Sequence, residues 1–194
     1  RLNRCAAGQG PPCDSLPGFE RALKGRIVGK RIGIVGATGA VGLEMLKVLE
    51  ERDFPVGALD LYASERSAGK TLRFRGADVK IQALDGGGFE DAMRRTDFVL
   101  FSAGGPISKA WAPRARAAGA IVIDNSSIFR MAPDVPLIVP EINAHAAKGH
   151  TGLIANPNCS TAIFVVAAGP IHRTFGLKRA IVSTYQAVSG AGAS

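Results

Sequence analysis

The sequence predicts an α/β chain: a Rossmann-type, doubly wound, mostly parallel sheet followed by the start of a second α+β unit. Three observations carry that prediction. Short runs of aliphatic and β-branched residues recur along the chain, stretches of helical period separate them, and a glycine turn joins the first run to the first helix. A length of 194 residues, 46% hydrophobic and 21% charged, suits one large domain or one domain and the beginning of another.

The chain opens on residues 1–30, which hold Gly8, Gly10, Pro11, Pro12, Pro17 and Gly18 without a sustained period, and so read as a flexible basic tail. Seven of the 24 Lys and Arg residues, against two of the 16 Asp and Glu, fall in residues 1–31. The formal charge of +8 is therefore mostly local: 17 basic and 14 acidic residues remain for the body. That uneven distribution argues against a nucleic-acid partner. A membrane is excluded on other grounds, since no uninterrupted apolar run approaches the roughly 18 residues a span requires. Cys5, Cys13 and Cys159 form no C-x-x-C pair and are odd in number, which fits neither a disulfide framework nor a zinc knuckle and suggests a reducing, cytoplasmic setting.

From Arg31 the pattern becomes regular. Arg31-Ile-Gly-Ile-Val35 reads as a strand, and Val41 to Leu49 as a helix whose Val41, Met45, Val48 and Leu49 share the buried face. Strands follow at Ala58–Ala63, Phe98–Phe101 and Ile121–Asp124, with a helix from about Ile107 to Ala118 serving as a parallel crossover. A strand at Gly152–Ala155, a helix at Ser160–Ala168 and a strand at Arg179–Tyr185 complete the order. Because that last strand meets only a Gly-rich turn before Ser194, we expect residues 31–158 to form one domain and residues 159–194 to open a second whose remainder lies outside this chain.

Gly36-Ala-Thr-Gly-Ala-Val-Gly42 has the spacing G-x-x-G-x-x-G between a strand and a helix, a variant of the dinucleotide fingerprint. Missing side chains let backbone approach a pyrophosphate, whose charge meets the amides and dipole of the helix start. The end of the second strand selects the cofactor. Here it reads Ser64-Glu65-Arg66-Ser67, and Arg66 between two hydroxyls offers a planar cation for a 2′-phosphate, favouring NADP, while Glu65 would favour NAD if it faced the ribose. Ser102, in Ser102-Ala-Gly-Gly105, closes the Phe98 strand at the edge where open α/β sheets bind ligands. Cys159, in Asn156-Pro-Asn-Cys-Ser-Thr161, falls in the first turn of a helix, where the dipole favours a thiolate nucleophile.

Those motifs, with Asp124-Asn-Ser-Ser-Ile-Phe-Arg130 and Ser183-Thr-Tyr-Gln-Ala-Val-Ser-Gly-Ala-Gly192, resemble the aspartate-semialdehyde dehydrogenases over roughly residues 31–194. The resemblance implies NADPH-dependent reduction of L-aspartyl-4-phosphate, release of phosphate, and a homodimer or homotetramer in lysine, methionine and threonine synthesis. By motif, Cys159 is the nucleophile, Gln186 contacts the substrate beside it, and Arg130 with Asn158 holds the phosphate. Gly36, Thr38, Gly39, Ala40, Val41, Gly42, Ser64, Arg66, Ser67, Ser102, Ser189 and Gly190 fall to the cofactor, and no metal is implied. The family's general acid/base histidine has no counterpart here: His145, His150 and His172 lie outside its motif and read as surface or packing residues. An acyl-CoA reductase on the same scaffold, or a non-catalytic nucleotide-binding fragment, are the alternatives.

Overall fold

A computed structural model describes residues 29–185. β1 (Lys30–Val35), β2 (Val56–Ala63), β4 (Ala77–Ala83), β5 (Phe98–Phe101), β6 (Ile121–Asp124) and β7 (Leu153–Ala155) pair in parallel, and β3 (Thr71–Phe74) pairs antiparallel with β4. The sheet order is β3-β4-β2-β1-β5-β6-β7. This is the predicted doubly wound α/β sheet. Its order reverses between β1 and β5, which makes the carboxyl ends of those two strands the place for a ligand.

Alternation along β1 splits its side chains between two cores. Ile32 and Ile34 join Leu61, Ile81 and Leu46 beneath helix α1 (Ala40–Glu51). Val35 turns the other way, toward Tyr62, Phe89, Val99 and Phe101, a layer covered by α2 (Phe89–Met93) and α3 (Gly105–Ala118). Both faces of the central strands are thus buried, as their apolar runs predict. Tyr62 stacks edge-on to Phe89 at 5.2 Å, and Phe89 to Trp111 at 5.1 Å.

α1 is rotated from its expected face. Gly42 and Leu46 are the buried positions, with Met45 and Leu49 packed beside them, while Val41 and Val48 are 45% and 36% exposed. Gly42 sets this rotation: its α-carbon faces the Gly36–Ala37 backbone so closely that an added Cβ would overlap the Gly36 carbonyl oxygen. The i, i+3, i+4, i+7 series from residue 42 then runs through 45, 46 and 49.

The hairpin of β3 and β4 was not expected from the sequence. It turns at Arg75 and Gly76, both at positive φ (49° and 80°), the pairing that a two-residue type I′ turn demands. β4 then runs beside β2 and brings Leu84 and Asp85 to the carboxyl edge.

The chain goes on through α4 (Pro140–Asn143), a 3₁₀ turn at Ala144–Gly149 and β7 to α5 (Cys159–Phe175), none of whose 17 residues is buried. The strand expected at Arg179–Tyr185 is absent. Residues 176–185 have no regular structure, with Ile181 90% and Tyr185 100% exposed. Alternating β-branched residues make a strand only against a ladder partner, and none of the described strands pairs with this segment.

Candidate functional site

At the switch point two loops meet backbone to backbone. Gly36 follows β1 at φ 89°, a conformation that disfavours side chains, and a Cβ there would lie 2.5 Å from the Ser102 carbonyl oxygen. The Ser102 amide in turn donates to the Val35 carbonyl at 2.8 Å. Packing therefore accounts for Gly36 and Gly42. Gly39 is different: it is the N-cap of α1, an added Cβ would come no closer than 3.4 Å to its neighbours, and among the described residues no side chain caps the helix. Nor does α1 carry an acidic residue in its first turn. The amide donors at Ala40, Val41 and Gly42 thus meet no capping side chain, which is the chemistry a pyrophosphate needs.

Beside this turn lies a cavity of about 470 Å³. Gly36, Thr38, Ser64 and Arg66 line it, and Glu65 lines it too. Ser67 ends the 3₁₀ turn Glu65–Ser67 next to the cavity, and Ser102 adjoins its wall residue Ala103. Sequence reasoning missed Leu84, Asp85, Ile107 and Trp111, which also line it. The signal for Leu84 and Asp85 was the alternation of Val79 and Ile81 with Asp78, Lys80 and Gln82, which marks β4 and hence its carboxyl end.

The second half of the site is built at the ends of β6 and β7. Asn125 and Asn156 follow these strands and join through Asn156 Nδ2 to Asn125 Oδ1 at 2.7 Å. Their carbonyls hold Arg130: its Nε donates to the Asn156 oxygen at 2.9 Å and an Nη to the Asn125 oxygen at 3.0 Å. Among the described residues no carboxylate forms an ion pair with Arg130. Two of its five N–H donors are used on neutral carbonyl acceptors.

From Asn156 the chain runs three residues to Cys159, the exposed first residue of α5. Asn158 is the N-cap, its Oδ1 accepting from the amides of Ser160 (3.0 Å) and Thr161 (3.4 Å). The structure thus gives Asn158 a helix-capping task alongside the phosphate contact expected of it, a contact left to its Nδ2 group.

His150 and His172 have local tasks: their Nδ1 atoms accept from the Gly152 amide (2.9 Å) and the Leu177 amide (3.1 Å). His145 lies exposed in the 3₁₀ turn at Ala144–Gly149. Gln186, Ser189 and Gly190 lie outside the described residues. Among the described residues no three His, Cys, Asp or Glu side chains gather as metal ligands, and no helix is long and apolar enough to cross a membrane.

Comparison with known proteins agrees with this geometry. The family described as semialdehyde dehydrogenase, NAD binding domain, matches residues 31–150. Aspartate-semialdehyde dehydrogenases of Aquifex aeolicus and Synechocystis are 57% and 55% identical over 168 and 163 residues, covering 86% and 84% of this chain but 48% and 47% of theirs. The chain therefore spans about half the length of the curated relatives it matches. The crystal structure of aspartate semialdehyde dehydrogenase II from Vibrio cholerae superposes with a TM-score of 0.79 at 51% identity, over 84% of this chain and 48% of that one. A structure of the Candida albicans enzyme with NADP gives 0.61 at 27% identity, over 76% and 48%. A glycine turn that opens an uncapped helix at the switch point, a cavity beside it and a cysteine at a helix start thus coincide with matches across most of the chain, and the chain belongs to the aspartate-semialdehyde dehydrogenase family.

Proposed function

We propose that this chain supplies the cofactor-binding part and the cysteine turn of an enzyme that reduces L-aspartyl-4-phosphate to L-aspartate 4-semialdehyde and phosphate, with NADPH as reductant. One observation carries the reading: Cys159 starts a helix three residues beyond Asn156, whose carbonyl oxygen holds Arg130. The anion-binding cation is therefore held against the turn that carries the nucleophile.

The Cys159 thiolate attacks the acyl carbon, forming the C–S bond as the C–O bond to phosphate breaks. Arg130 takes up the charge of the departing phosphate, and Asn158 keeps the thiol on the first turn by capping its helix. When bound, NADPH supplies hydride to the thioester carbon. The resulting oxyanion re-forms its carbonyl and expels the Cys159 thiolate, which restores the enzyme; Gln186 contacts the substrate at this carbon. Arg66, with the hydroxyls of Ser64 and Ser67, receives a 2′-phosphate and favours NADP, while the uncapped start of α1 with Thr38 and Gly39 receives the pyrophosphate. Ser102, Ser189 and Gly190 serve the nicotinamide side. Residues 31–158 form the cofactor domain and residues from 159 onward open the catalytic and dimerisation domain, in a cytoplasmic homodimer or homotetramer that serves lysine, methionine and threonine synthesis.

The test is run in reverse on the full-length protein, with aspartate semialdehyde, NADP and inorganic phosphate. Phosphate-dependent formation of NADPH is expected. Reduction that needs coenzyme A in place of phosphate would transfer the protein to the acyl-CoA reductases, and none with either would overturn catalysis altogether.

A further inference from the structure

Asp124, the last residue of β6, is 0% exposed and forms no ion pair with a cation among the described residues. A carboxylate removed from water is costly unless hydrogen bonds satisfy it. Two hydroxyls do so: Ser108 Oγ donates to Oδ1 and Ser126 Oγ to Oδ2, each at 2.6 Å. Ser108, itself 0% exposed, belongs to the first turn of α3, next to the cavity-lining Ile107. Ser126 belongs to the turn that leads to Arg130, and its Oγ also accepts from the Ile128 amide at 3.3 Å. The main chain of Asp124 reaches the cysteine side as well, its carbonyl accepting from the Asn156 amide at 2.8 Å.

We propose that Asp124 is a positioning residue that ties the first turn of α3 to the Ser126–Arg130 turn and thereby holds the Arg130 guanidinium against the turn that carries Cys159. Among the described residues the Arg130 guanidinium is fastened by two carbonyls, from Asn125 and Asn156, and both belong to residues whose amides anchor them to strand ends. Its aim therefore depends on the path of residues 125–130. One buried carboxylate with a hydroxyl on each side fixes that path. The inference rests on Arg130 being the anion-holding cation of the proposed function.

The test reads the charge near the thiol without requiring turnover. Full-length protein is alkylated with iodoacetate, an anion, and with iodoacetamide, its neutral analogue, and labelling of the Cys159 peptide is followed by mass spectrometry. The ratio of the two rates reports the positive charge beside the sulfur, and Arg130→Gln sets its floor. Ser126→Ala is expected to lower the ratio by about threefold toward that floor, a fraction of the loss that removing the guanidinium itself produces. Ser108→Ala lowers it in the same direction although Ser108 is sealed from solvent, and both serine variants loosen the tie while leaving the Asp124 side chain itself in place.

Ratios equal to that of the unaltered protein in Ser108→Ala and Ser126→Ala would overturn the positioning role. If Arg130→Gln leaves the ratio unchanged, the anion-holding role of Arg130 falls, and the positioning role with it. Phosphate-dependent activity in the unaltered protein is a separate readout, so a failure of the reaction and a failure of the clamp are told apart.

Discussion

Two arginines stand at opposite ends of the same sheet, and their partners differ in kind. Arg31, at the start of β1, places an Nη 3.3 Å from Asp60 Oδ2, so its charge is met by a carboxylate. Arg130, beyond the end of β6, is gripped by two carbonyl oxygens and meets no carboxylate among the described residues. The contrast extends to the neighbours. At the amino edge Lys30 pairs with Asp97 at 3.2 Å, whereas the carboxyl edge is furnished with amides, hydroxyls and turning glycines. Orientation at neutral acceptors leaves a cation ready for an anion; neutralisation by a carboxylate leaves it structural.

The largest effect expected from this difference is on activity. Arg130→Gln should lower kcat/KM for phosphate in the semialdehyde assay by about 100-fold, or roughly 2.7 kcal/mol, whereas Arg31→Gln should change it less than about twofold and register only in stability. Equal losses in steady-state kinetics would erase the distinction. Next in size is the glycine at the core of the cofactor turn. Gly42→Ala drives a methyl group into the Gly36 carbonyl and should cost about 3 kcal/mol in denaturant unfolding, while Gly39→Ala, whose Cβ meets its nearest atom at 3.4 Å, should cost far less and act on cofactor affinity.

Smaller still is the cap of the cysteine helix. Asn158→Ala removes the acceptor for the Ser160 and Thr161 amides and should cost about 1 kcal/mol locally, seen as faster amide exchange in the first turn of α5. The smallest effect belongs to the amino edge. The Arg31 amide donating to Asp97, followed by the Lys30 ammonium, holds the Asp97 carboxyl below its usual 3.8. A lowered pKa stabilises the fold above that ordinary value, and the contribution is lost as pH falls through the lowered one. Asp97→Asn should thus lower Tm near neutrality and match the unaltered protein well below pH ~4. The gap is about 0.5 kcal/mol, because the side chain is 38% exposed and screened by solvent.

Legibility in the sequence follows the same division. The glycine turn, the strand ends and the helix start at Cys159 were readable because each depends on local spacing and backbone freedom. The rotation of α1 was not, because it follows from one close approach of Gly42 to Gly36, a contact that hydropathy does not register. Leu84 and Asp85 were missed because their place in the cavity depends on β4 lying beside β2, and β4 shows only a brief alternation between charged residues. The segment Arg179–Tyr185 misled in the opposite sense: it has the composition of a strand, but pairing is a property of two segments. Arg130 could be placed at the site only by resemblance, since what holds it are backbone carbonyls from two strand ends, and those leave no mark in composition.

The central claim is that Cys159 carries the acyl group. Full-length protein incubated with aspartate semialdehyde and NADP in the absence of phosphate, then digested at acid pH, would be examined by mass spectrometry. The peptide containing Cys159 should gain the mass of one aspartyl group and lose it on addition of phosphate. NADPH formed while that peptide stays unmodified would contradict the account.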